Sequence, residues 1–138
     1  MSLRATLSAF WRGEEATGMV EFALVAVLFS AILFGIIEFG IAGWERSTIA
    51  AAARDGSRFA VVRGANSGRI ATVDSIENYI KSKTALDPAS LRVYATWTPA
   101  TKSPGSLVSV SVARSVPRRG PFIPAHNDSA TSKLYVYY

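Results

Sequence analysis

The chain has 138 residues, of which 49% are apolar and 18% are charged, with a formal net charge of +5. Typical soluble domains hold about 25% charged residues, so this composition excludes a disordered chain and indicates a small domain, alone or with an anchor. The lack of Cys excludes a disulfide-stapled fold, thiolate zinc sites and Cys nucleophiles. Residues 1–63 hold six basic and six acidic side chains, so the net positive charge lies in residues 64–138.

An uncharged apolar run covers residues 22–37, where Ser30 is the only polar side chain. Together with its flanks, the run covers residues 19–44. A helix of this length would extend about 39 Å and cross a hydrocarbon core of ~30 Å. We therefore expect a membrane anchor. A buried core helix is the first alternative, although the run is apolar on every face. A cleaved signal peptide is the second, although the run is long and the helix pattern continues past Glu38. The flanking arginines leave the orientation open.

The rest of the chain predicts an α+β domain. Residues 48–62 are rich in Ala without a strong helix breaker, so the anchor helix should continue to residue 62 as a spine. Apolar residues at helical spacing predict a second helix over residues 70–86, ended by Asp87 and Pro88. Alternating apolar residues then predict a small antiparallel sheet, with a loop over residues 117–129 and strands over residues 91–97, 107–113 and 132–138.

Three motifs in the first half of the chain resemble a known family. They read Gly-Met-Val-Glu-Phe-Ala-Leu at residues 18–24, Gly-Ile-Ile-Glu-Phe-Gly at residues 35–40, and Ala-Ala-Ala-Arg-Asp-Gly-Ser-Arg-Phe-Ala at residues 51–60. In this order and spacing they resemble the TadE-like proteins, which are pilin-like subunits of the Tad or Flp tight-adherence pilus apparatus of bacteria. The resemblance covers residues 18–62 and implies a pilin-like fold in a bitopic protein of the bacterial inner membrane.

The resemblance also implies a division of the chain into three parts. Residues 1–16 would be a cytoplasmic leader, residues 17–63 a transmembrane and spine helix, and residues 64–138 a periplasmic α+β domain. A prepilin peptidase would cut between Ala16 and Thr17, where the family usually has Gly before the cut.

Glu21 and Phe22 would then lie close to the new N-terminus, with Glu21 as the fifth residue of the mature chain. In pilins this glutamate pairs with the α-amino group of a neighbouring subunit and sets the stagger of the filament; the alternative is a carboxylate solvated among lipid headgroups. Glu38 is expected at the membrane interface, as an assembly residue at the other end of the run. Gly35 and Gly40 either permit close helix contacts or are neutral.

The function that follows is that of a minor pilin-like subunit, or pseudopilin, held in the inner membrane until it enters or initiates a Tad/Flp pilus. Its expected partners are the prepilin peptidase and other pilin-like subunits. The alternative is a membrane-anchored periplasmic module that binds nucleic acid or acidic polysaccharide through Arg114, Arg118 and Arg119, unless these arginines only solubilise the surface. Neither an enzyme nor a cofactor is expected, because the one His, His126, lies in a Pro- and Asn-rich segment without a nucleophile pattern.

Overall fold

The computed structural model describes residues 14–118 and 120–137, with side chains from Thr17 onward. The chain divides into two compact units, Met1–Phe39 and Gly40–Tyr138. The α+β class predicted from the sequence is confirmed, as a long apolar helix, a second helix and a three-stranded antiparallel sheet. The elements are α1 (Glu14–Val62), α2 (Val73–Lys83), a 3₁₀ turn (Pro88–Ser90), β1 (Leu91–Thr98), β2 (Leu107–Val116) and β3 (His126–Tyr135).

Within the second unit, α1 buries a narrow face made largely of small side chains. Ile49, Ala53 and Ala60 are at most 1% exposed, and with the buried Gly56 they follow one another at intervals of three to four residues along the face. Gly56 lies on the same face, and a Cβ added there would meet Cδ1 of Ile80 at 2.6 Å and Cγ1 of Val110 at 3.2 Å. Glycine at this position therefore lets α1 approach α2 and β2 more closely than any other residue would.

Ser57, next to this close approach, links α1 to β3. It is fully buried, and its Oγ donates to the carbonyl of Arg54 at 2.8 Å. Since this bond uses its one hydroxyl proton, Ser57 Oγ accepts from the hydroxyl of Ser132, also at 2.8 Å. A buried hydroxyl with two partners incurs no desolvation penalty, so this polar position is compatible with the core.

Helix α2 is shorter than the predicted 70–86. Thr72 is in an extended conformation and accepts a hydrogen bond from the Ser75 amide, while the Ser75 hydroxyl accepts from the Thr72 amide, which forms a reciprocal capping box. Thr84 returns to an extended conformation and ends the helix. Ile76 and Ile80 are buried, as the helical spacing predicts. The prediction failed only at the two ends, because capping groups decide a boundary that hydrophobic spacing does not show.

The sheet has the order β1-β2-β3 with both pairs antiparallel. Val108, Val110 and Val112 are fully buried, so the predicted alternation in β2 is confirmed. The predicted start of β3 at residue 132 is wrong, because the ladder already begins at the pair of Val116 with His126. β3 is an edge strand, whose inner face needs only partial burial and can therefore hold polar residues. Because the residues after His126 are mostly polar, the sequence does not show their alternation between the two faces.

Candidate functional site

The apolar segment of α1 is the first candidate site. Helix Thr17–Val62 is long and apolar enough to cross a membrane, and its most apolar window is 0% buried within the chain. Its large side chains point outward on all sides of the helix; Phe22 is 75% exposed and Phe39 is 67% exposed. Burial of such surface, in lipid or against other helices, is favourable by about 25 cal/mol per Å². Within the described residues the segment is left uncovered, so an apolar environment such as a membrane suits it.

Two carboxylates mark the ends of this apolar run, as predicted. Glu21 is exposed and Glu38 is half-buried. Phe22, beside Glu21, is 75% exposed. A carboxylate near hydrocarbon is costly unless it is paired or hydrated, so both ends of the run are positions where a partner would matter.

The predicted processing site lies at the start of α1. Thr17 is exposed, and both Ala16 and Thr17 belong to the helix, which begins at Glu14. The scissile bond is thus in the first helical turn, where helices fray. Residues 1–13 of the predicted leader lie outside the described residues.

The glycines of α1 fall into two groups. A Cβ added at Gly18, Gly35, Gly40 or Gly43 would meet no atom within 4 Å, whereas one added at Gly56 would collide with the core. Packing inside the chain therefore explains Gly56 and leaves the glycines of the apolar segment open to contacts from outside it.

Arg114 does not lie on the anionic-ligand surface that the sequence predicted. It is 6% exposed, its Nη1 lies 2.9 Å from Oε1 of the 3%-exposed Glu45, and its Nε donates to Oγ of Ser90 at 3.1 Å. The contact with Glu45 is a close ion pair without the angle of a hydrogen bond, since Nη1 has no hydrogen-bond partner. Arg114 is thus an interior cation held by a carboxylate from α1.

Of the other two arginines of that prediction, the structure describes only Arg118. Arg118 is exposed, and its Nε donates to the carbonyl of Gly120 at 3.2 Å. Arg119 lies outside the described residues. With Arg114 in the interior, the prediction that Arg114 belongs to an anionic-ligand surface is wrong.

A signal for the buried pair was present in the sequence. Arg114 continues the alternation of Val108, Val110 and Val112, so the strand period points it inward, and Glu45 precedes the buried Ile49 by one helical turn. The charge of Arg114 suggests a surface position, whereas its place in the strand alternation points inward. A buried charge is compatible with a core when a partner of opposite charge faces it.

His126 is the first residue of β3, and its ring contacts two neighbouring groups of the chain. Its Nδ1 lies 3.0 Å from the carbonyl of Pro124, and its Nε2 lies 3.4 Å from Oδ2 of Asp128. Among the described residues, no group of three or more His, Asp or Glu side chains could hold a metal ion.

Comparison with known proteins gives one match, which lies on α1. The family model described as TadE-like protein matches residues 17–58. No curated protein and no solved structure matches the chain. The matched residues cover the first two motifs in full and the third except for Phe59 and Ala60. The resemblance predicted from the motifs is therefore confirmed: residues 17–58 are a TadE-like segment.

Proposed function

We propose that this protein is a minor pilin-like subunit, a pseudopilin, of a Tad/Flp-type pilus assembly system. The family match indicates a Tad pilus-associated protein, and the anchor-like helix fits single-pass membrane association. The observation that carries the finer proposal is the overlap of the two: the family match over residues 17–58 includes the whole apolar run of residues 22–37, whose large side chains are exposed in the described part of the chain. A segment of this kind acts by packing against lipid first and against other helices later.

In this proposal the C-terminal domain lies in the periplasm, and a prepilin peptidase removes residues 1–16. Cleavage between Ala16 and Thr17 requires the first turn of α1 to open, which costs little at a helix end. The new α-amino group would then lie at Thr17, one turn before Glu21. The apolar run remains in the mature chain as the anchor and as the assembly surface. No catalytic step is assigned to the protein.

Glu21 would direct the assembly. Its exposed carboxylate lies at the edge of the apolar run, where an unpaired charge is costly. The α-amino group of a neighbouring subunit would neutralise it and fix the axial stagger between the two helices. Phe22 would pack beside the pair, and Glu38 would remain near the interface at the far end of the run.

The glycines of the apolar segment support packing between subunits. A glycine inside a helix costs about 1 kcal/mol relative to Ala, and no contact in the described chain accounts for this cost at Gly35 or Gly40. Small residues at membrane-helix interfaces let backbones approach closely. We assign these two positions to contacts with neighbouring helices of the Tad apparatus.

The test of processing is the intact mass of the protein from membranes and from sheared pili of a host that carries the apparatus. We expect a mass that lacks residues 1–16, and a larger processed fraction in Ala16→Gly, which restores the residue usual in the family. A Glu21→Gln variant should be processed normally but should be lost from the pilus fraction. A full-length mass in wild type and in Ala16→Gly alike would overturn the proposal.

A further inference from the structure

Within the described part of the chain, one face of the sheet is left uncovered. The side chains of Val108, Val110 and Val112 point to the opposite face and are fully buried there. On the uncovered face, Tyr94 of β1 is 59% exposed and Tyr135 of β3 is 57% exposed. We call this surface, the even-numbered residues of β1 and the odd-numbered residues of β2 and β3, the outer sheet face.

The outer sheet face has an unusual composition. It presents Ser and Thr hydroxyls, two tyrosines and the two cations Arg92 and Lys133, and the paired residues of the three strands place no carboxylate on it. Ser111 and Thr131 are neighbours in its centre, with a hydrogen bond of 2.7 Å between their hydroxyls. The surface is therefore flat, rich in hydroxyls and positively charged.

The register places the cations and the tyrosines on two parallel diagonals. Arg92 lies in the row of Ala113, and Lys133 lies four residues along the sheet and two strands across. Tyr94 and Tyr135 are separated in the same way. Strand spacings of about 4.8 Å and rises of about 3.4 Å per residue put each pair about 17 Å apart. The two diagonals are offset by two residues, or about 7 Å, along the strands. Ser111 lies midway along the diagonal of the cations, and Thr131 is its neighbour in the same row.

The geometry points to an elongated acidic polysaccharide as the ligand of the outer sheet face. Widely spaced cations would meet carboxylates carried by separate sugars, tyrosine rings offer flat apolar contacts to sugar rings, and the central hydroxyls bond sugar hydroxyls. A nucleic acid fits less well, because it carries a phosphate on every nucleotide and two cations would neutralise few of them. The site is separate from the three arginines considered above, and its function does not depend on pilus assembly.

The experiment uses the full chain in non-ionic detergent and three probes of matched length: a hyaluronan oligosaccharide, neutral dextran and oligothymidylate. We expect binding to hyaluronan that exceeds binding to the other two. The double variant Arg92→Ser/Lys133→Ser should weaken it by about fivefold, the size expected for two exposed charge contacts. Tyr94→Ser should weaken it by a similar factor without a change in its salt dependence.

The matched control is Arg54→Ser/Arg58→Ser, which removes the same charge from exposed positions on α1. This helix packs on the opposite side of the sheet, so the control should retain hyaluronan binding. Equal losses of hyaluronan binding in both double variants would show that binding depends only on the net charge, and would overturn the site. Stronger binding to oligothymidylate would replace the polysaccharide with nucleic acid, and no binding to any probe would leave the outer sheet face a solvated surface.

Discussion

Replacement of Gly56 by Ala tests the closest packing contact of the fold. The new Cβ would lie 2.6 Å from Cδ1 of Ile80, with further contacts at 3.2 Å to Cγ1 of Ile80 and Cγ1 of Val110. Ile80 is 1% exposed and Val110 is fully buried, so the new methyl group would displace side chains of the core. Overpacking of this kind costs about 1–3 kcal/mol.

The helix propensity acts in the opposite direction, because Ala is favoured over Gly by about 1 kcal/mol in a helix interior. Gly43→Ala is the matched control, since it makes the same substitution in the same helix and meets no atom within 4 Å. We expect Gly43→Ala to stabilise the protein slightly and Gly56→Ala to be less stable than this control by about 1–3 kcal/mol. The measurement is urea unfolding of the full chain in non-ionic detergent, followed by Trp fluorescence.

A second variant shows whether Ile80 is the cause. Ile80→Val removes the Cδ1 atom that collides with the new Cβ, at a cost of about 0.5–1.5 kcal/mol on its own. In the double variant with Gly56→Ala, the overlap is relieved. Its loss of unfolding free energy should therefore be smaller than the sum of the two single losses by about 1 kcal/mol. Equal stabilities for Gly56→Ala and Gly43→Ala, together with strict additivity in the double variant, would refute the close approach.

Three further predictions concern the remaining contacts and the topology. Arg114→Met removes the cation beside the buried Glu45 carboxylate and should destabilise by about 3–5 kcal/mol, whereas Glu77→Gln, which breaks a partly exposed helix pair, should cost at most about 0.5 kcal/mol in the same urea titration. Thr72→Ala removes the cap of α2 and should cost about 1 kcal/mol; an unchanged midpoint would contradict the capping box. Tyr137→Cys, at a 74% exposed position, should react in intact cells with a thiol reagent that crosses the outer but not the inner membrane; labelling only after lysis would contradict a periplasmic domain.

The sequence predicted those parts of the fold in which hydrophobic period and burial agree. The valines of β2 alternate and are buried, and the apolar run with its alanine-rich extension forms one helix that ends at Val62. The start of β3 was missed because residues such as Asp128 and Ser132 face inward at an edge and are polar, so no period of two is visible.

The candidate sites are hard to predict from the sequence for a different reason, because they depend on contacts between distant segments. Arg114 was read as a surface residue because of its charge, but its place in the β2 alternation and the in-phase Glu45 put both groups in the interior. The close approach at Gly56 depends on Ile80 and Val110, which are distant in sequence, so no local pattern predicts it. The outer sheet face likewise depends on strand register, which pairs residues that no local pattern connects.

The most direct test of the central claim, helix packing between subunits, is disulfide cross-linking in membranes of the native host. The chain has no Cys, so single substitutions Leu24→Cys, Leu28→Cys and Leu33→Cys report without background. These side chains are 69%, 65% and 45% exposed within the described chain, so all three are accessible. We expect adducts at positions 24 and 28 to rise or fall together, because they share a helix face, and to differ from position 33, which lies on the opposite face. Equal yields at all three positions, or no adduct at any of them, would contradict the proposed assembly.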